Sequence, residues 1–203
     1  MAFKPLSEKI NVQMLISNFN KLREEYLKCQ DADFFDMVNA EPPQSELEFF
    51  LEKARSGKKN DNHQWQWIPL IWNGEIFEGN PDHIKQSDTI KILLNLGITP
   101  MMAVYSRMAP GTVLDPHHDL DDIVFGESPM PEDINNHDAG LIKYHFALDV
   151  PLNGKCGVKV LNEEKIIQNK DLYSFDENMT HSAYNLSDEY RGVLIFSFRK
   201  DLL

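Results

Sequence analysis

Residues 103–120 read AVYSRMAPGTVLDPHHDL. The run through Met108 is rich in β-branched and aromatic residues and reads as a strand. Pro110-Gly111 is turn chemistry, and TVLDPHHD then resumes extended structure. Alternate side chains of a strand face the same way, so His117 and Asp119 share one face and His118 takes the other. A neutral imidazole and a carboxylate two residues apart can converge on one cation. A His–Asp hydrogen bond capping a loop would leave the same trace, so the rest of the chain has to be read.

Outward from this stretch the pattern is the same. MMAVYSRM (101–108), LIKYHFALDV (141–150), CGVKVL (156–161) and RGVLIFSF (191–198) are short apolar runs, separated by Pro-Gly, Asn-Gly, Asn-Glu-Glu and Asn-Leu-Ser-Asp. Strands in such numbers without intervening helices indicate an antiparallel sandwich or barrel. Residues 1–99 read instead as mostly helical. In NVQMLISNFNKLREEYLKC (11–29), Val12, Leu15, Ile16, Phe19, Leu22 and Tyr26 recur at the spacing of one amphipathic helix. A second helix opens with Ser45 and Glu48 as a capping box, after the Pro42-Pro43 loop, and closes at Gly57. A third runs from Ser87 as N-cap to Gly97. Between these, Trp65 to Ile71 suits a strand, its tryptophans reading as packing. The expectation is one domain over 1–203: a helical N-terminal support (1–99), a β core (100–203), and a long loop over 120–140.

Composition narrows the function. Across 203 residues, 20 Lys+Arg stand against 32 Asp+Glu, a net charge of -12. Such a surface repels phosphate backbones and anionic lipid, so neither nucleic acid nor a membrane is an expected partner. The longest uncharged stretch, Ile92–Ser106, is 15 residues and too short to span a bilayer. The first residues hold no apolar core of a signal peptide, and two cysteines, Cys29 and Cys156, make no disulfide framework; a cytoplasmic setting is expected. His63, His83 and His137 lie in polar stretches and read as surface residues.

His181, in FDENMTHSAYN (175–185), opens another extended stretch. With His117 and Asp119 it makes two imidazoles and a carboxylate, the facial triad of non-haem Fe(II) sites with three positions left open. Ten residues on, Arg191 heads an otherwise apolar strand. A guanidinium there is costly to desolvate unless it meets a carboxylate, supplied by a bound diacid or by an internal acid.

Tyr105–Phe198 resembles the aspartyl/asparaginyl β-hydroxylase family of Fe(II)/2-oxoglutarate-dependent oxygenases. SRMAPGTVLDPHHD, LIKYHFALDVP, GVKV and FDENMTHSAYNLSDEYRGVLIFSF carry the likeness, in the family's order and with its interval of ten between histidine and arginine. The resemblance implies a mainly β fold with N-terminal helices, a double-stranded β-helix or jelly roll related to the cupins. It implies Fe(II) on His117, Asp119 and His181, with Arg191 holding the distal carboxylate of 2-oxoglutarate. Ser106, Met108, Lys143 and His145 fall where the family places further co-substrate contacts. It also implies O2 as a reactant, succinate as a product, and Asp/Asn-like hydroxylation of an amino acid or amino-acid residue. Some members carry glycine in place of Asp119. The family's usual arginine is Lys143 here, a point charge instead of a planar fork. A non-catalytic metal-binding cupin-like protein is the alternative; it would keep the triad but have no use for Arg191. Substrate identity and oligomeric state are not legible.

Between Arg107 and Lys143 there is no basic residue, while Asp115, Asp119, Asp121, Asp122, Glu127, Glu132, Asp133 and Asp138 fall in that interval. A solvated acidic loop is one reading; a lid receiving a cationic substrate group is the other. On the second, Asp121→Asn and Asp122→Asn raise the substrate KM without changing iron affinity. Steady-state kinetics and metal titration check this, and an unchanged KM rejects it.

Overall fold

The computed structural model describes residues 1–36, 65–117, 140–153 and 155–203. Its N-terminal part runs β1 (Phe3–Lys4), α1 (Val12–Ser17), α2 (Phe19–Lys28), β2 (Phe35–Asp36), β3 (Trp65–Trp72), β4 (Glu75–Ile76), α3 (Asp82–Lys85) and α4 (Asp88–Leu94). The single helix expected over 12–26 is two. Asn18 interrupts it, its amide side chain donating to the Met14 carbonyl at 2.8 Å while its backbone N–H is shared between Met14 and Leu15. Leu15, Phe19, Leu22 and Tyr26 are buried as the periodicity requires, but Ile16 falls outside the stripe and is 40% exposed. The helix expected from Ser45 to Gly57 lies outside the described residues, as do His63 and His137.

Helix α4 begins where its cap predicts. The Ser87 hydroxyl accepts from the Ile90 amide, and the Glu25 carboxylate on α2 accepts from the Asp88 and Thr89 amides, each at 2.8 Å. The Thr89 hydroxyl touches both Glu25 and the Tyr105 hydroxyl, tying α2 and α4 to the sheet below. Among the described residues no helix is long and apolar enough to cross a membrane.

Eight further strands follow: β5 (Met102–Met108), β6 (Thr112–His117), β7 (Leu141–Asp149), β8 (Cys156–Val160), β9 (Glu163–Ile166), β10 (Leu172–Asp176), β11 (His181–Asn185) and β12 (Arg191–Arg199). They wind between two antiparallel sheets. The larger has the order β1-β10-β7-β12-β5-β3-β2, with β4 beside β3; the smaller has the order β6-β11-β8-β9. Chain order thus passes from large sheet to small and back, apart from the β8–β9 hairpin. The ladder β5-β12-β7-β10 faces β6-β11-β8-β9, which is the double-stranded β-helix expected from the sequence.

The large sheet is buried on both faces. On β12, Leu194, Phe196 and Phe198 join Leu15, Phe19 and Leu22 in the core beneath the helices. Val193 and Ile195 face the other way, into a second core between the sheets with Val104, Val158 and Phe175. Strand alternation therefore sends one set of side chains to the helices and the next into the barrel. Lys143 and His145 on β7, and Arg191 on β12, belong to the inward set.

One close approach fixes how α2 sits on β12. A Cβ added at Gly192 would lie 2.3 Å from Cζ of Tyr26, a buried ring. Gly192→Ala is expected to destabilise the fold by about 1–3 kcal/mol through overpacking. Urea denaturation of the two proteins measures it, and equal stability would mean α2 is free to shift.

Candidate active site

Between the two sheets lies a pocket of about 500 Å³, part of it open to solvent. Ser106, Met108, His117, Lys143, His145, His181 and Arg191 all line it, although they come from five strands. Asp119 lies outside the described residues, as do His118 and loop 120–139.

The small sheet contributes the two imidazoles. β11 pairs antiparallel with β6 so that His181 stands opposite His117, and the ring centroids are 4.4 Å apart. Each ring is held by the carbonyl two residues before it: His117 Nδ1 by Asp115 O at 2.6 Å, His181 Nδ1 by Met179 O at 2.8 Å. A carbonyl only accepts, so Nδ1 carries the proton and Nε2 the lone pair in both rings. That is the tautomer in which imidazole ligates a metal, oriented by a backbone hydrogen bond. Among the described residues no third His, Cys, Asp or Glu completes a metal cluster.

The large sheet contributes the cations. Arg191 is 3% exposed, and its Nη1 donates to Met108 Sδ at 3.2 Å and to the Gly157 and Tyr184 carbonyls at 3.3 Å. Among the described residues its Nε has no hydrogen-bond partner and no carboxylate pairs with it. The internal acid considered from the sequence is therefore not found there. Lys143 differs: its ammonium lies 3.8 Å from the buried Glu177 carboxylate. Lys200 pairs with Asp176 alongside, at 2.8 Å. Trp65 Nε1 donates to Ser106 Oγ at 3.0 Å, so that hydroxyl acts as acceptor there and turns its proton elsewhere.

Two residues of the site went unread in the sequence. Glu177 is the acid beside Lys143. Tyr173, on β10, places its hydroxyl 3.0 Å from His145 Nδ1. Burial pushes the Tyr173 phenol up to about 12, with Arg191 pulling in the opposite direction. Glu177 lies within FDENMTHSAYN, but its pairing with Lys143 joins distant segments and leaves no local trace; Tyr173 was hidden because LYSFD was not recognised as a strand.

The sequence profile of the family described as Aspartyl/Asparaginyl beta-hydroxylase matches residues 17–201. The chain belongs to the aspartyl/asparaginyl β-hydroxylase family. No curated protein sequence matches this family member. Among solved structures it is similar to a prolyl-4-hydroxylase from Pseudomonas putida, at 12% identity and a TM-score of 0.47, over 98% of this chain and 92% of that one. It is also similar to a predicted oxalate decarboxylase from Thermotoga maritima, at 10% identity and a TM-score of 0.37, over 67% and 81%. KdgF from Halomonas sp. matches at 20% identity and a TM-score of 0.31, over 50% and 74%.

In this β-hydroxylase family member the surroundings of Arg191 make a sharp energetic distinction. Removing one partner of a buried ion pair costs roughly 3–5 kcal/mol, whereas removing a buried charge that has only neutral partners costs far less. Arg191→Met is expected to change unfolding free energy by no more than about 2 kcal/mol in the absence of ligand. Chemical denaturation decides; a loss of 4 kcal/mol or more, on the same order as a broken ion pair, would place an internal carboxylate on Arg191.

Proposed function

We propose that the protein is an Fe(II)- and 2-oxoglutarate-dependent hydroxylase acting on an amino acid or amino-acid residue. The observation that carries the reading is Arg191, a buried guanidinium without a carboxylate partner among the described residues, lining the same pocket as two imidazoles whose Nε2 atoms carry lone pairs. The donor set fits both groups. His117 and His181, joined by Asp119, would hold the ferrous ion, and Arg191 would take the distal carboxylate of 2-oxoglutarate in its planar fork. Ser106, Met108, Lys143 and His145 would complete the co-substrate subsite. Bound together, the ion and the keto acid supply oxygen activation, with release of CO2 and succinate and hydroxylation of a substrate carbon.

The chain's own contribution is position and exclusion of water. The carbonyls of Asp115 and Met179 hold the imidazoles in one tautomer and one orientation. Leu114, Val158, Val193 and Ile195 give the pocket an apolar wall, so the charged contacts are made away from bulk solvent. By family, the reaction is Asp/Asn-like hydroxylation at a β carbon. A non-catalytic cupin-like metal protein leaves Arg191 without a task.

The test is 2-oxoglutarate turnover with Fe(II), screened over free amino acids and Asp- and Asn-containing peptides. Succinate is expected to accumulate with one or more of these and to be lost in His181→Ala. Absence of substrate-dependent succinate, together with full metal binding, would favour the non-catalytic reading.

A further inference from the structure

Trp65 lines the pocket but spends its polar atom on the protein. It opens β3 directly opposite Met108 on β5, with Trp67 opposite Ser106, and both indoles form part of the pocket wall. The two rings meet edge to face, centroids 5.0 Å apart at 89°, a contact that favours one orientation of the Trp65 ring. From there Trp65 Nε1 crosses the ladder diagonally to Ser106 Oγ at 3.0 Å. An indole N–H only donates, so chemistry alone sets the direction of this bond: the serine oxygen accepts. Ser106 is 4% exposed, and its own O–H has still to be placed. Among the described residues no acceptor takes it, because the bond from Trp65 is the one hydrogen bond that side chain makes there. A buried hydroxyl proton left in this way costs free energy that an accepting ligand restores. The register also puts Ser106 beside the guanidinium. β12 pairs with β5 as Arg191 with Met108 and Val193 with Ser106, so Ser106 and Arg191 are diagonal neighbours on the inward face.

We propose that Trp65 is a positioning residue that commits Ser106 to donate its hydroxyl proton to a bound anion beside Arg191. A serine hydroxyl on its own serves as donor or acceptor with equal ease. Here the indole N–H takes a lone pair and turns the proton away from Trp65, toward the side where no protein acceptor competes for it. A ligand oxygen placed there receives a hydrogen from Ser106 and meets the charge of Arg191. A ligand that brought an N–H instead would leave the serine proton without an acceptor. In this role Trp65 acts through Ser106, so its N–H has no effect of its own once the hydroxyl is gone. For 2-oxoglutarate as the anion, the inference rests on the function proposed above; for the hydrogen bond it does not.

The test is a double-mutant cycle read in two ways, with Zn(II) in place of Fe(II). ¹H–¹⁵N correlation spectra of ¹⁵N-tryptophan-labelled protein report the Trp65 indole N–H, and calorimetric titration with 2-oxoglutarate reports the subsite. In Ser106→Ala the Trp65 signal is expected to move upfield. In the unsubstituted protein 2-oxoglutarate is expected to move it downfield, because a hydroxyl that donates also accepts more strongly. Trp65→Phe, which keeps an aromatic ring and removes the N–H, weakens 2-oxoglutarate binding roughly threefold to tenfold, the worth of one hydrogen bond, and Ser106→Ala by at least as much. With alanine at 106, Trp65→Phe has no further effect, and Zn(II) affinity is the same throughout. An indole signal unmoved in Ser106→Ala, or a Trp65→Phe loss that persists in full in the Ser106→Ala background, overturns the proposal. If the unsubstituted protein binds Zn(II) but no 2-oxoglutarate, the function proposed above falls, and the same cycle with succinate and sulfate decides the role of Trp65; binding of neither overturns it. If Trp65→Phe does not fold, the two shifts of the indole signal decide alone.

Discussion

A guanidinium taken out of water costs several kcal/mol unless charge meets it, and Arg191 is buried with only neutral acceptors around it among the described residues. Much of the architecture serves to keep it there. Arg191 heads β12, which lies between β7 and β5 in the large sheet, so its backbone is hydrogen-bonded on both sides and its register is fixed over nearly the whole strand. A slip of one residue would send Arg191 to the helices and Gly192 to the pocket. The helices are what forbid that slip: the Tyr26 ring occupies the space a side chain at 192 would need.

The same constraint explains why a fold whose chemistry is confined to its β core carries helices at all. A sheet whose two faces both hold large apolar side chains must be covered twice. The small sheet covers the inner face of the large one, and α2 with α4 covers the outer face, where Tyr105, Phe146 and Phe196 are fully or almost fully buried. Glu25 links the two helices by accepting from the first amides of α4, and through Thr89 the link reaches Tyr105 on β5. Support and site are thus joined by strands that show one face to each.

How much of this could be read from the chain follows from whether the signal was local. β5, β7 and β12 are long and apolar on both faces, and stood out as continuous runs. β9 is a polar edge strand, EEKI, and β10 is only five residues behind a Lys-Asp turn, so neither did. The break at Asn18 was invisible because apolar spacing continues across it. Motif positions in the described residues converged on one pocket, since alternation alone sets which of Ser106, Met108, Lys143 and His145 face inward. Contacts made between distant segments were not legible: Glu25 with Thr89, Lys143 with Glu177, and Tyr173 with His145 each depend on strands or helices meeting in space.

The polarity of the pocket narrows what it can hold more than its shape does. On one wall the backbone forces lone pairs onto two imidazole nitrogens. On the other, Arg191 has only donors, Ser106 has its oxygen engaged by Trp65, and Lys143 is balanced by Glu177. The first wall suits a cation or a hydrogen-bond donor, and the guanidinium of the second suits an anion. On the function proposed above, a metal chelated by one end of a dicarboxylate would lie on the imidazoles and the other end on the guanidinium. A neutral ligand leaves Arg191 without a counter-charge among the described residues. The pairing of opposite hydrogen-bond polarities across a few ångströms is what ties the buried arginine to the histidines as parts of one site.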